Sequence, residues 1–233
     1  SEYENLRAWQ AICKTCYVWL YQTNFSHYLY PYNSLPTMAE RYKFVASCGA
    51  EFLFDQNQWD QKVKTGFHRL KAWMGAELAW NVNADYNSLL DEYFSRYFHD
   101  AAEPMRRLFD GITYHMERLA AEGMDGGIYY SVNQADFFDK ALLDGWMVQI
   151  EEAYGKIGHY RDSDPELYKK LSTRICIESL SIRYMRLELY GSRFSPAELA
   201  AERNAFREDC LKTGVEMLPE QVSLSVIYEA WGL

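Results

Sequence analysis

The sequence has no long apolar run and no excess of positive charge. No stretch of about 18 consecutive apolar residues occurs, so no transmembrane helix is expected. No basic segment followed by an apolar core opens the chain, so no signal peptide is expected. Acidic residues outnumber basic residues by 33 to 24, which gives a net charge of −9 and a pI near 5.1. Because nucleic-acid binding needs a basic field, this balance argues against a nucleic-acid partner.

Cysteines are few and do not form a disulfide framework. The chain has five, an odd number, and they are widely scattered. Cys13 and Cys16 form a C-x-x-C motif, which leaves redox or zinc chemistry as alternatives to a structural role. No further ligands stand at a spacing that completes a zinc site, and phosphate-loop, G-x-S-x-G and H-E-x-x-H motifs are absent. The prediction is therefore structural cysteines and no cofactor or metal.

The composition is that of a globular protein. The 233 residues are 48% hydrophobic, 24% charged and 16% aromatic, which excludes a disordered chain. A chain of this length buries roughly 70% of its unfolded surface, so it needs no disulfide or metal to fold. Unpaired cysteines favour a reducing compartment, but localisation stays open.

The first 60 residues have the pattern of a βαβ unit. Residues 16–21 form a short, unbroken apolar run, typical of a strand buried on both faces of a parallel sheet. An aromatic loop and Pro36 then lead into a helix that stops at Gly49, and residues 50–54 form a second strand. Polar and aromatic side chains follow both strands. In parallel α/β sheets, ligands bind at this carboxyl edge.

After residue 60 the pattern changes to helices. Apolar residues at helical spacing predict helices over about 66–82, 86–99, 104–122, 134–158, 165–190 and 196–213. Asp164 followed by Pro165, and a capping box from Ser195 to Glu198, predict the starts of the last two helices. Residues 128–132 are a candidate isolated strand, and the last 19 residues are predicted to be irregular or a short strand. The fold class is therefore mainly α with an α/β start: a βαβ segment over 1–60 and a bundle of about six helices over 61–233.

Several stretches resemble a family of uncharacterised bacterial proteins of the glycosidase-type (β/α)8-barrel, distantly similar to α-glucuronidases and β-hexosaminidases. They are Val18–Phe25 (VWLYQTNF), Tyr30–Leu35 (YPYNSL), Gly49–Gln56 (GAEFLFDQ), Leu70–Trp73 (LKAW), Ala76–Asn81 (AELAWN) and Tyr93–Phe98 (YFSRYF). The resemblance covers residues 4–120. Two departures are Tyr97-Phe98-His99, where the family usually has Tyr-Tyr-Gly, and Asp55-Gln56, where many members have an acid followed by Gln-Gly.

The resemblance implies that this chain is the C-terminal part of a barrel enzyme with its helical extension. A missing N-terminal barrel segment, or a partner domain, would complete any active site, and the chain alone would be inactive. Relatives that degrade glycans are often exported, which is the alternative to the reducing compartment.

Asp55 is the best-placed acid for glycoside hydrolysis, because it follows a strand; Glu51 and Asp60 are weaker candidates. No second acid completes a catalytic pair. Sugars are bound by aromatic faces together with planar polar side chains. The predicted saccharide contacts are Trp19, Tyr21, Asn24, Tyr28, Tyr30, Gln56, Asn57 and Trp59. The alternatives are a non-catalytic helical interaction or carbohydrate-binding module and, more weakly, a C-x-x-C redox protein.

Overall fold

The structure, a computed structural model, describes residues 2–59, 62–124, 127–129 and 137–233. Two sequence predictions fall at its gaps. Asp60 lies outside the described residues, as do residues 130–132 of the candidate strand over 128–132. Residues 128 and 129 form a turn.

The chain begins with the predicted βαβ unit. Helix α1 (Glu2–Ile12) precedes strand β1 (Tyr17–Tyr21), helix α2 (Met38–Ser47) and strand β2 (Phe52–Gln56). The strands are parallel and in register, with Tyr17 opposite Phe52 and Tyr21 opposite Gln56.

Two details of the sheet differ from the sequence prediction. Strand β1 is not buried on both faces, since Tyr17 and Trp19 are 73% and 58% exposed. Successive side chains point to opposite faces, and within the described residues only one face is covered. Strand β2 also begins and ends two residues later than predicted, so Asp55 lies inside the strand. Pairing with Leu20 continues β2 through Asp55, although the apolar run stops at Phe54.

The remaining chain forms the predicted bundle, with six long helices in the part that the structure describes. They are α3 (His68–Trp80), α4 (Tyr86–Phe98), α5 (Ala102–Ala121), α6 (Lys140–Ile157), α8 (Pro165–Tyr190) and α9 (Pro196–Thr213). The short helices α7 (Tyr160–Ser163) and α10 (Ser225–Ala230) were not predicted. Helix α10 corrects the prediction of an irregular or β C-terminus. No helix in the described ranges combines the length and apolarity needed to cross a bilayer.

Local sequence explains where the long helices begin. Asp164 accepts a hydrogen bond from the Leu167 amide at 3.0 Å, and Pro165 occupies the first helical position of α8. Ser195 and Glu198 form a reciprocal capping box at the start of α9. These interactions satisfy amides that have no partner within the helix.

The βαβ unit packs on the bundle and shares its core. Leu29, Leu35 and Met38 are fully buried in the same apolar cluster as residues of α3 to α9. The Tyr28 amide donates to the Leu218 carbonyl at 2.7 Å, and the His27 ring lies 3.2 Å from the Tyr184 hydroxyl. The loop after β1 is therefore clamped between the sheet and the bundle.

Candidate functional site

One face of the two-stranded sheet carries aromatic side chains that are open to solvent. This open sheet face consists of Tyr17, Trp19, Tyr21, Phe52, Phe54 and Gln56. The Trp19 indole donates to Gln56 Oε1 at 3.0 Å, and its ring centroid lies 4.7 Å from that of Phe54. The structure thus brings together three predicted saccharide contacts, Trp19, Tyr21 and Gln56, near the carboxyl edge.

Asp55 lies on the opposite face of the sheet, towards α2 and α3. One carboxylate oxygen accepts from Gln22 Nε2 at 2.8 Å, and the other accepts from the Tyr42 hydroxyl. Burial, followed by the hydrogen bond to Asp55, raises the pKa of Tyr42. Both Asp55 oxygens are therefore engaged within the fold. The catalytic role of Asp55 stays a prediction, and the structure separates this carboxylate from the open sheet face.

Helix α3 reaches this carboxylate because residue 75 is glycine. A Cβ atom at Gly75 would lie 2.9 Å from the Tyr42 hydroxyl oxygen and 3.3 Å from Asp55 Oδ2. The first distance is below normal contact, so any side chain would displace the Tyr42–Asp55 pair. The position of Asp55 thus depends on close approach of the α3 backbone.

A concave site lies beside the loop that follows β1. This loop cleft has a volume of about 340 Å³ and is lined by the loop, the start of α2 and the end of α5. Its polar lining includes Asn24, Tyr30, Asn33, Ser34 and Arg41. Arg41 Nη2 donates to the Ser34 carbonyl at 2.7 Å. Within the described residues, the Tyr30 and Ser34 hydroxyls and Arg41 Nε are buried without a hydrogen-bond partner.

The loop owes its shape to hydrogen bonds from its own side chains. Asn24 Oδ1 accepts from the Ser26 amide at 2.8 Å, which closes an Asx turn directly after the strand. Asn24 Nδ2 donates to the Gly127 carbonyl at 3.3 Å and ties the loop to the segment after α5. Tyr30 is held by ring contacts with His27, Tyr184 and Phe138. These contacts place Asn24 and Tyr30 at the cleft wall.

The other predicted contacts lie elsewhere. Tyr28 is 1% exposed and belongs to the core. Asn57 is half-buried beside the Asp55 carbonyl, at 3.5 Å. Trp59 is 56% exposed and its indole donates to Glu220. The predicted set therefore divides between the open sheet face, the loop cleft and separate positions.

A buried charged pair was missed by the sequence analysis. Lys71 of α3 donates to the Gln22 and Tyr32 carbonyls at 2.9 and 2.7 Å. Glu178 of α8 accepts from the Phe67 amide at 2.7 Å. Both side chains line a small pocket of about 40 Å³, which has room for water-sized molecules. The Ser181 hydroxyl, on the wall of the same pocket, has no hydrogen-bond partner among the described residues.

Burial changes the protonation of this pair. It lowers the pKa of Lys71 to about 7 and raises the pKa of Glu178 to about 7. The Phe67 amide and the Lys71 charge oppose the shift at Glu178. The sequence carries one signal for the pair: Glu178 is the charged residue in the otherwise apolar or small stretch from Ile175 to Ile182. A charged residue in such a run predicts a buried, partnered group.

The C-x-x-C motif lies between α1 and β1. Burial and the neighbouring Cys13 thiol raise the pKa of Cys16. Redox thiols are activated by the opposite shift, because the thiolate is the reactive form. No group of three or more potential ligands that could hold a metal is found among the described histidine, cysteine and acidic side chains.

The fold is that of a mainly helical protein with an α/β start. Residues 1–110 match the model of a family described as a domain of unknown function, DUF4838. No curated protein and no solved structure matches the chain. The matched segment contains the sheet, α3, α4 and the first part of α5. The predicted relation to an uncharacterised family is thus supported over this segment, and its glycosidase and bacterial aspects stay predictions.

Proposed function

We propose that the chain is the C-terminal portion of a glycoside-hydrolase-like, carbohydrate-active protein. It contributes sugar contacts and a helical scaffold and is inactive by itself. The observation that carries the proposal is the loop cleft. Its volume of about 340 Å³ falls within the range of roughly 300–1,000 Å³ that is usual for small-molecule sites.

The cleft has the chemistry that a saccharide needs. Amide, hydroxyl and guanidinium groups from Asn24, Asn33, Ser34 and Arg41 supply donors and acceptors for sugar hydroxyls. Tyr32, which also lines the cleft, adds an aromatic surface for the apolar face of a sugar ring. A ligand that forms hydrogen bonds with the Ser34 and Tyr30 hydroxyls would bind more tightly, because a buried polar group without a partner destabilises the protein by about 1–3 kcal/mol.

Saccharide binding to the 233-residue chain tests the proposal. We expect ligand-observed NMR with a panel of neutral and acidic mono- and disaccharides to detect binding that Asn33→Ala weakens roughly fivefold, the loss of one hydrogen bond. Asn83→Ala is the matched control, since Asn83 is exposed and does not line the cleft. A panel in which no sugar binds, or in which both variants behave alike, would contradict the proposal.

The size of the native polypeptide tests the second part of the proposal. An antibody against this chain should detect a product well above 27.4 kDa in its own host. Glycoside hydrolysis should then appear only with the longer polypeptide. A product of 27.4 kDa would refute the view of this chain as a portion of an enzyme.

The open sheet face favours a second candidate function, that of a docking module. Tyr17 and Phe52 are 73% and 55% exposed at the amino end of the strands, away from the polar edge. Exposed aromatic residues on a sheet mark surfaces that associate. Sedimentation velocity should show self-association that Phe52→Lys abolishes and Trp80→Lys, at the most exposed tryptophan, preserves. A chain that stays monomeric at every concentration would leave this candidate without support.

A further inference from the structure

A groove on the helical part of the molecule is lined by converging cations. It lies between the starts of α3 and α8 and the end of α4, and its volume is about 400 Å³. Arg69 comes from α3, whereas Lys169, Lys170 and Arg174 come from α8. Among the described residues, Glu166 is the one acidic side chain in its lining. This cationic groove therefore has an excess of three positive charges in a chain whose net charge is −9.

Several arginines elsewhere on the bundle are ion-paired, whereas three of the four groove cations have no ion pair in the described part of the chain. Arg106, Arg107, Arg118, Arg183 and Arg186 each have a carboxylate within 4.0 Å. Arg69, Lys169 and Lys170 are exposed, and no ion pair involves them within the described ranges. Like charges that face one groove raise its potential, and an anion that binds there relieves their repulsion.

Arg174 is held in place before any ligand arrives. Its Nη1 donates to the Tyr97 carbonyl at 2.5 Å, and its guanidinium carbon lies 4.0 Å from the Tyr97 ring centroid. A guanidinium fixed in this way loses little side-chain freedom when it binds an anion. The groove therefore combines one cation held by the fold, Arg174, with three exposed cations that have no ion pair among the described residues.

We propose that the cationic groove binds a small organic polyanion, a ligand with two or more phosphate or carboxylate groups. An extended polyanion such as a nucleic acid fits poorly, because the chain is acidic as a whole and the cations are confined to one groove. The inference does not depend on saccharide binding at the loop cleft, which other residues line.

Calorimetric titration of the full chain with pyrophosphate, and separately with citrate, tests the inference. We expect one site per chain, weakened roughly tenfold or more by Lys169→Glu with Lys170→Glu and weakened by high salt. Lys43→Glu with Lys212→Glu is the control: both residues are exposed and outside the groove, and each double variant changes the net charge by 2 × −2 = −4. The control should lose less than about twofold. Binding of pyrophosphate but not citrate would show that the groove prefers ligands with phosphate groups. Binding of citrate but not pyrophosphate would show that it prefers ligands with carboxylate groups.

The variants should fold, because Lys169 and Lys170 are the fifth and sixth residues of α8 and acidic residues are tolerated near a helix N-terminus. Arg69→Gln provides a second test from another helix and should also weaken binding. Absence of binding by both probes, or equal losses in the groove and control variants, would overturn the inference.

Discussion

The buried pair Lys71 and Glu178 makes stability depend on pH near neutrality. The folded-state pKa of Glu178, about 7, is above its ordinary value of 4.5. Between these pH values the folded chain keeps a proton that the unfolded chain releases, so the unfolding free energy falls as pH rises from 4.5 to 7. Lys71 acts in the next window, because its folded-state pKa of about 7 is below 10.5. The contribution of Lys71 to the unfolding free energy is fully present above pH 10.5 and is lost as pH falls towards 7.

Glu178→Gln should remove the fall in stability between pH 4.5 and 7. The amide keeps an oxygen that can accept from Phe67, but it cannot titrate. The difference between pKa values of 4.5 and about 7 corresponds to at most about 3–4 kcal/mol of unfolding free energy over the window. Urea denaturation across the window measures the slope in the wild type and the variant. Glu202→Gln, at an exposed residue of α9, is the control and should keep the wild-type slope. Equal slopes in all three proteins would disprove the role of Glu178.

The sequence predicted the roles of individual residues correctly where those roles depend on neighbours in the chain. The caps at Asp164 and Ser195 follow from neighbouring residues alone. Lys71 and Glu178 were missed because they are 107 positions apart in the sequence and meet only in the folded chain. The hydrogen bonds of Asp55 to Gln22 and Tyr42 depend in the same way on tertiary contacts.

At the scale of elements, helix α3 depends on a glycine that a helix would ordinarily disfavour. Gly75→Ala should destabilise the protein by about 1–3 kcal/mol, since the new methyl group would press against the Tyr42 hydroxyl and Asp55. Gly145→Ala in α6 is the matched control. Beyond its chain neighbours and the backbone of its own helix, no atom of the described residues lies within 4 Å of its added Cβ, so this substitution should stabilise by about 0.5–1 kcal/mol.

Thermal unfolding distinguishes these two glycine substitutions by sign. In a chain of this length, 1 kcal/mol shifts Tm by roughly 2–4 °C. We expect a lower Tm for Gly75→Ala and a higher Tm for Gly145→Ala. A higher Tm for both variants would show that the Tyr42–Asp55 pair can move aside without loss of stability and does not depend on close approach of α3.

The sheet shows which element properties the sequence could predict. Apolar runs and Gly49 predicted two parallel strands joined by a helix, which the structure confirms. The sequence did not predict the open sheet face, because an unbroken apolar run is typical of strands covered on both sides. The end of β2 was predicted too early because it depends on pairing with β1. Helix α10 was missed because its six residues are too few for a clear helical period.

At the scale of the whole molecule, the βαβ unit and the bundle share one core. A two-stranded sheet is not stable alone, so residues 2–59 depend on the helices that bury Leu29, Leu35 and Met38. Lys71 reinforces the connection by binding carbonyls at Gln22 and Tyr32 from α3. The sequence-based division at residue 60 follows a change of pattern along the chain, whereas these contacts cross that point.

Because the core is continuous, we expect the chain to unfold in a single cooperative transition. Differential scanning calorimetry should give equal calorimetric and van't Hoff enthalpies. Lys71→Met should lower Tm, because it removes one buried and one partly buried hydrogen bond and leaves Glu178 without its counter-charge. The variant should keep one transition, because the shared apolar cluster remains. Leu78→Ala, at a fully buried residue of α3, is the control for ordinary core loss and should also keep one transition. Two resolved transitions in the wild type would instead show that residues 1–60 and 61–233 are separate domains.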